Sequence, residues 1–228
     1  MTGSIILVNI MKNLESFIMT NRISDENLNI ISNISAATMH EALGKIGALP
    51  AYLKPISKGM KICGRALPVK GPSGCNLWLH RGIAKAQPND VIIADVGDDR
   101  EYGYWGDIMG TGAKIRGISG LVIDGYVRDQ VELEEMRFSV FAAGLSIRGT
   151  SKKFEEKGTI GKTITIGKIN IEHGDLILGD NDGVVIIPYE QVEEGIAKSI
   201  ERENKETATK NRLLNGETSL QIYGWSEG

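Results

Sequence analysis

Between Gly103 and Arg137 the chain gathers the side chains best suited to chemistry. The stretch reads Gly-Tyr-Trp-Gly-Asp107-Ile-Met-Gly-Thr-Gly, then a helical span. After it come the apolar run Gly120-Leu-Val-Ile-Asp124-Gly125 and then Tyr-Val-Arg128-Asp129-Gln-Val-Glu132. A carboxylate is a hard oxygen donor suited to Mg²⁺ or Mn²⁺. An adjacent guanidinium can clamp a substrate carboxylate or a developing oxyanion. Functional groups collect at the carboxyl ends of strands in α/β sheets, where this acidic and basic cluster falls. Side by side, Arg128 and Asp129 could hold a small oxo-acid on a metal. The same two residues also read as the start of a helix, with Asp129 as its N-terminal cap or a surface charge.

Other signals fail on inspection. Gly158-Thr-Ile-Gly-Lys-Thr163 resembles the end of a phosphate-binding loop, but Glu156 occupies the first glycine position and a strand-like alternation follows. His40-Glu41 opens like a zinc-protease motif, yet Gly44 stands where the second histidine belongs. With only His40, His80 and His173 available, a three-histidine metal site has no spacing to support it. Neither a dinucleotide-binding glycine motif after a strand nor a nucleophile elbow occurs.

The elements that must position Arg128 and Asp129 follow from apolar periodicity. Residues 24–47 read as two helices, capped by Ser24 and Ser35 and ended by Gly44 and Gly47. Lys61 to Val69 reads as a strand. Asn76 to Ala86 has helical spacing, with Leu77, His80, Ile83 and Ala84 on one side. Val91–Val96, Gly120–Gly125 and Ser139–Ala143 are short, almost wholly apolar runs, as strands buried on both faces require. Spans 106–117 and 128–137 between them can be helices, which predicts parallel strands with crossovers. Thr163–Ile166 and Lys168–Ile171 alternate as one-sided strands do. Asp175–Leu178 and Gly183–Ile187 flank the turn Gly179-Asp-Asn-Asp-Gly183, an antiparallel pattern. Tyr189 to about Asn215 is a long charged helix ended by Gly216. These readings divide the chain into a lead-in (1–22), one α/β domain (23–188) and a C-terminal helix and tail (189–228).

Composition bounds the function. A chain of 228 residues with Lys+Arg 26 against Asp+Glu 29 has a net charge of −3, which argues against an electrostatically driven nucleic-acid binder. Hydrophobic content of 41% with 24% charged residues suits a globule rather than a disordered chain. Its 28 glycines mark many tight turns or close backbone approaches. Cys63 and Cys75 form no metal or redox motif and read as thiols of a reducing compartment. The apolar run Ser4–Met11 is too short for a membrane span and lacks a signal peptide's basic lead-in. The expectation is a cytoplasmic protein with neither a membrane nor a nucleic acid as partner.

Asp107, twenty intervening residues, then Arg128-Asp129-x-x-Glu132 resembles the D-x₂₀-R-D-x₂-E/D signature of the 4-hydroxy-4-methyl-2-oxoglutarate aldolase family. That RraA-like family also contains the regulator of ribonuclease activity A. Cys63-Gly-Arg-Ala66, Asn76-Leu-Trp-Leu-His80, Asp90–Asp95, Trp105-Gly106 and Gly179–Pro188 resemble its landmarks in the same order, so the likeness covers about residues 35–224.

The resemblance implies a swivelling β/β/α-type single domain with a C-terminal helical tail, assembled as a homotrimer or homohexamer. It implies divalent-metal-dependent (class II) cleavage of a 4-hydroxy-2-oxo acid to pyruvate, with oxaloacetate decarboxylation as a side activity. 4-Hydroxy-4-methyl-2-oxoglutarate and 4-carboxy-4-hydroxy-2-oxoadipate are the model substrates. By the same resemblance Asp129 is the metal ligand for Mg²⁺ or Mn²⁺. Arg128 binds the oxo-acid and stabilises the enolate oxygen, and Asp107 orients metal-bound water or Arg128. The N–H groups of Ile108 and Met109 take a carboxylate, and Asn76 and His80 line the pocket. Glu206 reaches in from a neighbouring subunit. From the residues alone, His80 reads equally as a packed helix face and Glu206 as a solvated helix charge. The alternative function within the family is a non-catalytic regulator that binds a ribonuclease or another protein.

Overall fold

The computed structural model describes residues 22–226, so most of the lead-in, including the run Ser4–Met11, lies outside the described residues. The apolar runs become the centre of a mixed sheet. Strands β2 (Ile62–Lys70), β3 (Asp90–Asp95), β4 (Gly120–Val127) and β5 (Ser139–Leu145) are parallel neighbours. A two-residue β1 (Lys54–Pro55) pairs antiparallel with β5 at one edge. At the other, β9 (Leu176–Asp180) pairs antiparallel with β2, and β10 (Gly183–Ile187) with β9. The parallel and antiparallel stretches therefore share one sheet. A short β6 (Thr159–Ile160) also pairs with β2, and β7 (Ile164–Ile166) with β8 (Ile169–Ile171) forms a separate hairpin.

The two sheet edges meet. Leu49 N–H donates to Val184 O and Ile186 N–H to Gly47 O, both at 2.9 Å, so the segment leading into β1 bridges β10 and nearly closes a barrel. Its interior holds Val91, Ile93, Val122, Phe141, Ile177 and Ile186, sealed by Ile164, Ile166 and Ile171 of the hairpin. The alternate residues Ile92, Ala94, Leu121 and Ile123 face outward into a second core under the crossover helices. Both faces of these strands are buried, which is why their sequences are continuously apolar.

The crossover helices are α3 (Leu77–Lys85), α4 (Asp107–Ile115) and α5 (Gln130–Glu135). On the antiparallel side α1 (Asp25–Ile31), α2 (Ala36–Ala42) and α6 (Val192–Leu214) cover β9 and β10 through Leu28, Met39, Leu178 and Val192. Ser24 and Ser35 cap α1 and α2 as the sequence predicts, accepting from Asn27 N–H and Thr38 N–H.

Some expectations are corrected. Along α3, Leu79 and Gly82 are the buried residues and Ile83 packs half-buried against the same core, whereas Ala84 is exposed, because the helix lies on β2 with Gly82 against Val69. The span after Pro188 opens with a 3₁₀ turn (Tyr189–Gln191) before α6. An unexpected short α7 (Ser219–Tyr223) follows, opened by a Thr218–Gln221 capping box. Among the described residues no helix is long and apolar enough to cross a membrane.

Candidate functional site

The site forms where α4 and α5 begin beside each other. Tyr104 N–H donates to Tyr126 O at 3.0 Å and Arg128 N–H to Trp105 O at 2.9 Å, so residues 103–105 run along the end of β4. This pairing delivers Gly106 and Asp107 next to Asp129.

Asp129 occupies the N-terminal cap position of α5 in the left-handed region, φ 59° and ψ 45°. Non-glycine residues pay to sit there, Asp less than most. Its carboxylate makes no capping hydrogen bond to α5; instead Oδ2 accepts the Asp107 N–H at 3.1 Å. The same Oδ2 lies 3.5 Å from Arg128 Nε. The helix-start reading is thus right for the backbone of Asp129 but not for its side chain, which is turned toward Asp107 and Arg128.

Gly106 makes room for this. Its backbone is extended, which any residue could adopt, but a Cβ would stand 2.2 Å from Asp129 Oδ2. Gly103 is hemmed in similarly, with Ser146 O at 2.5 Å and Arg128 Cδ at 3.1 Å from a notional Cβ.

Arg128 stands between two adjoining hollows. One, of about 270 Å³, is lined by Asn76, His80, Asp107, Met109, Arg128 and Lys152 among others. The other, of about 460 Å³, is lined by Arg128, Asp129, Gln130, Leu145, Ser146 and Ile147. Six sequence-predicted residues therefore gather around Arg128: Asn76, His80, Asp107, Ile108, Met109 and Asp129. Glu206 does not. It lies on α6, where its Oε1 is 2.9 Å from Arg202 Nε of the same helix.

Two of the gathered groups are already engaged. The Ile108 N–H donates to Asp107 Oδ1 at 2.6 Å, which leaves the Met109 N–H as the α4 donor without an acceptor among the described residues. Asn76 is 7% exposed; its Nδ2 donates to Tyr104 O at 3.0 Å and to Met109 Sδ at 3.3 Å. Its Oδ1 accepts from Lys152 Nζ. Asn76 therefore lines the hollow with its amide held by Tyr104, Met109 and Lys152. Asp124 points elsewhere, accepting from Tyr52 Oη at 3.0 Å and Arg100 Nη2 at 2.8 Å.

Burial, and after it the Lys152 ammonium, holds the His80 pKa below its ordinary value. His80 therefore adds no positive charge at neutral pH, and the cations of the smaller hollow are Arg128 and Lys152. Lys152 is the residue that sequence reasoning missed. The available signal was its place in Gly149-Thr-Ser-Lys152, just past the carboxyl end of a parallel strand.

The donor set at Asp129 is one carboxylate oxygen, Oδ1, with no hydrogen-bond partner among the described residues. Among those residues no three His, Cys, Asp or Glu side chains converge as a metal cage. Such a set fits a hard divalent ion that keeps most of its water, as Mg²⁺ does, rather than a zinc-type site.

Comparison with known proteins agrees with this architecture. The RraA-like family model (Aldolase/RraA) matches residues 20–186. A Halalkalibacterium halodurans protein named "Putative 4-hydroxy-4-methyl-2-oxoglutarate aldolase" is 30% identical over 190 residues, covering 83% of this chain and 90% of that one. An uncharacterized protein of Methanocaldococcus jannaschii is 34% identical over 205 residues, with the same coverage of 83% and 90%. In fold, the chain superposes on Streptomyces coelicolor RraAS2, described as an unusual member of the RNase ES inhibitor RraA protein family. That match has a TM-score of 0.71 at 22% identity, covering 84% of this chain and 100% of the other.

Proposed function

This chain belongs to the RraA-like family, and from that premise we propose that it is a divalent-metal-dependent carbon–carbon lyase. The reaction is retro-aldol cleavage of a 4-hydroxy-2-oxo acid, such as 4-hydroxy-4-methyl-2-oxoglutarate or 4-carboxy-4-hydroxy-2-oxoadipate, to pyruvate. Oxaloacetate decarboxylation is the side activity. The observation that carries the reading is the Asp129 carboxylate, turned away from its own helix and facing Arg128 and the start of α4.

Asp129 would hold Mg²⁺ or Mn²⁺ through Oδ1, and the bound ion supplies Lewis-acid polarisation of the 2-oxo group. The chain's own groups do the rest. The Arg128 guanidinium donates to the C2 oxygen, where negative charge builds as the C3–C4 bond breaks. The Met109 N–H at the α4 start receives the C1 carboxylate. Asp107, lining the hollow with Oδ2 unpartnered among the described residues, takes the C4 hydroxyl proton through a water. C4 leaves as a ketone or aldehyde, and protonation at C3 gives pyruvate. Decarboxylation of oxaloacetate develops the same charge on the same oxygen, so Arg128 serves both reactions.

The assembly in this reading is a homotrimer or homohexamer, in which Glu206 exchanges Arg202 for a neighbouring subunit's site. The rival reading, a regulator that docks on a ribonuclease, does not require the Arg128–Asp129 pair at a hollow. The test is pyruvate release from a panel of 4-hydroxy-2-oxo acids and oxaloacetate, with and without chelator. Release that stops in EDTA and returns with Mg²⁺ or Mn²⁺ supports the proposal. Full turnover after exhaustive chelation, or no release from any substrate with metal present, overturns it.

A further inference from the structure

We propose that the larger hollow beside Arg128 receives an extended apolar branch carried on C4 of the substrate, with Leu145 and Ile147 as the residues that select it. This inference rests on the reading above and adds to it a substrate class: 4-hydroxy-2-oxo acids whose C4 bears an alkyl chain longer than methyl.

The hollow of about 460 Å³ shares Arg128 with the smaller one and holds Asp129 in its wall. A substrate with its C2 oxygen on Arg128 and its metal on Asp129 therefore has this space beside it. Clefts of roughly 300–1,000 Å³ enclose a whole small ligand, so the space exceeds what a methyl group fills.

The chemistry of the wall decides what enters. Gln130 Nε2 donates to Ile56 O and to Ser57 Oγ, the latter at 3.3 Å, which draws this donor toward β1. Ser146 Oγ donates to Glu101 O at 3.1 Å and accepts the Arg148 N–H at 3.2 Å. Arg128 is thus the one lining side chain with donors free among the described residues. Gln130 Oε1, without a partner among the same residues, is an acceptor and repels a carboxylate.

What the hollow otherwise presents is hydrocarbon. Leu145 is 49% exposed and Ile147 96%. Single exposed apolar side chains are ordinary. These two line one concave space next to the proposed reacting centre. The chain around Ile147 is also pinned. Ser146 N–H donates to Val127 O at 2.9 Å, and Arg148 O accepts the Gly103 N–H at 2.8 Å. Arg148 Cζ lies 3.8 Å from the centre of the Tyr102 ring, and Arg148 Nη1 is 3.1 Å from Asp99 Oδ2. Held on both sides, Ile147 is a fixed apolar wall.

The reaction balances with such a branch. 4-Hydroxy-2-oxooctanoate breaks between C3 and C4. Its C4 hydroxyl loses a proton to leave pentanal, and C3 takes up a proton to give pyruvate.

The experiment separates binding of the branch from cleavage. 2-Oxobutanoate, 2-oxopentanoate, 2-oxohexanoate and 2-oxooctanoate are titrated calorimetrically, with Mg²⁺ present, into wild type, Leu145→Ser, Ile147→Ser and Ile147→Leu. Alongside, kcat/KM is measured on 4-hydroxy-2-oxopentanoate and 4-hydroxy-2-oxooctanoate, and the mass of the assembly by sedimentation. Wild-type affinity should rise by roughly threefold per added carbon, the scale of a buried methylene. Leu145→Ser and Ile147→Ser should flatten that slope, and Ile147→Leu should keep it. Cleavage should favour the octanoate, through KM.

An affinity independent of chain length in wild type, or an unchanged slope in both serine variants, overturns the assignment. So does a serine variant that lowers the mass of the assembly and leaves the slope as it was, which would make Leu145 and Ile147 a contact between copies of this chain. A rising series without cleavage of either hydroxy acid upholds the hollow and overturns the aldolase reading. Cleavage of both hydroxy acids at equal kcat/KM does the reverse.

Discussion

The backbone N–H of Asp107 donates to Oδ2 of Asp129 at 3.1 Å, joining the first residue of α4 to the residue that caps α5. Twenty-one residues of strand and helix separate these two positions in sequence, yet their contact fixes which way the Asp129 carboxylate points. Its other oxygen, Oδ1, has no hydrogen-bond partner among the described residues.

Gly106→Ala tests that geometry. The extended backbone at 106 accepts alanine, so the fold should persist, but the new methyl group would collide with Asp129 Oδ2. Displaced outer contacts of a metal ligand typically cost about 10- to 100-fold in metal affinity. Mn²⁺ titration followed by electron paramagnetic resonance should show a weakening of that order, with circular dichroism unchanged. Wild-type affinity in a folded Gly106→Ala protein would mean that Asp129 does not hold the ion.

His80 predicts a pH dependence of stability. Its folded pKa lies below the ordinary value of about 6.5, chiefly because burial disfavours the imidazolium. As pH falls below that value, the unfolded chain takes up a proton that the folded chain refuses. Stability therefore declines until the folded pKa is reached. His80→Gln removes this contribution, so the Tm drop between pH 7.5 and 5.5 should be smaller than in wild type. Equal drops in the two proteins would place His80 in an unperturbed environment.

How much of this was legible in sequence follows from the range of each interaction. Continuous apolar runs such as Val91–Ala94 announced strands buried on both faces, and Ser24 and Ser35 announced helix starts, because burial and capping act over a few residues. The grouping of Arg128 and Asp129 with Asp107 was legible through their neighbours in chain order. The direction of the Asp129 carboxylate was not, because it depends on a left-handed turn and on Gly106 from another segment. Asn76 was expected to touch substrate. Its amide contacts, to Tyr104, Met109 and Lys152, span 28, 33 and 76 positions, and no local pattern encodes them. Barrel closure by residues 47–49 against β10 was hidden for the same reason.

Cys63 should be inert although it is only partly covered. Burial pushes its thiol up to about 12, and its Sγ faces Leu28 O at 3.5 Å. At pH 8 the thiolate fraction is then about 10⁻⁴, and the thiolate is the reactive form. Cys75 is buried in the wall beneath Lys153. Neither thiol should titrate with a disulfide reagent at pH 8 until denaturant is added. Rapid titration of one thiol in the native protein would contradict this.

Arg128→Lys separates a mechanistic from a merely electrostatic role for the guanidinium. Lysine keeps the charge beside Asp129, so folding and metal affinity should change little. It is a point charge on a flexible stem, however, and cannot present two parallel N–H donors to an oxo-acid. In the proposed reaction the C2 oxygen gains its negative charge only as the bond breaks, so the lost contact would weigh most in the transition state. Removing one such donor typically costs about 2.7–4 kcal/mol, or roughly 10²–10³ in rate. The loss should fall mainly on kcat and should appear alike in aldol cleavage and oxaloacetate decarboxylation, because both load the same oxygen. Steady-state kinetics on oxaloacetate give the simplest measurement. A folded Arg128→Lys enzyme within about threefold of wild type would show that charge alone suffices, and Arg128 would then be a partner of Asp129 rather than the group that stabilises the developing anion.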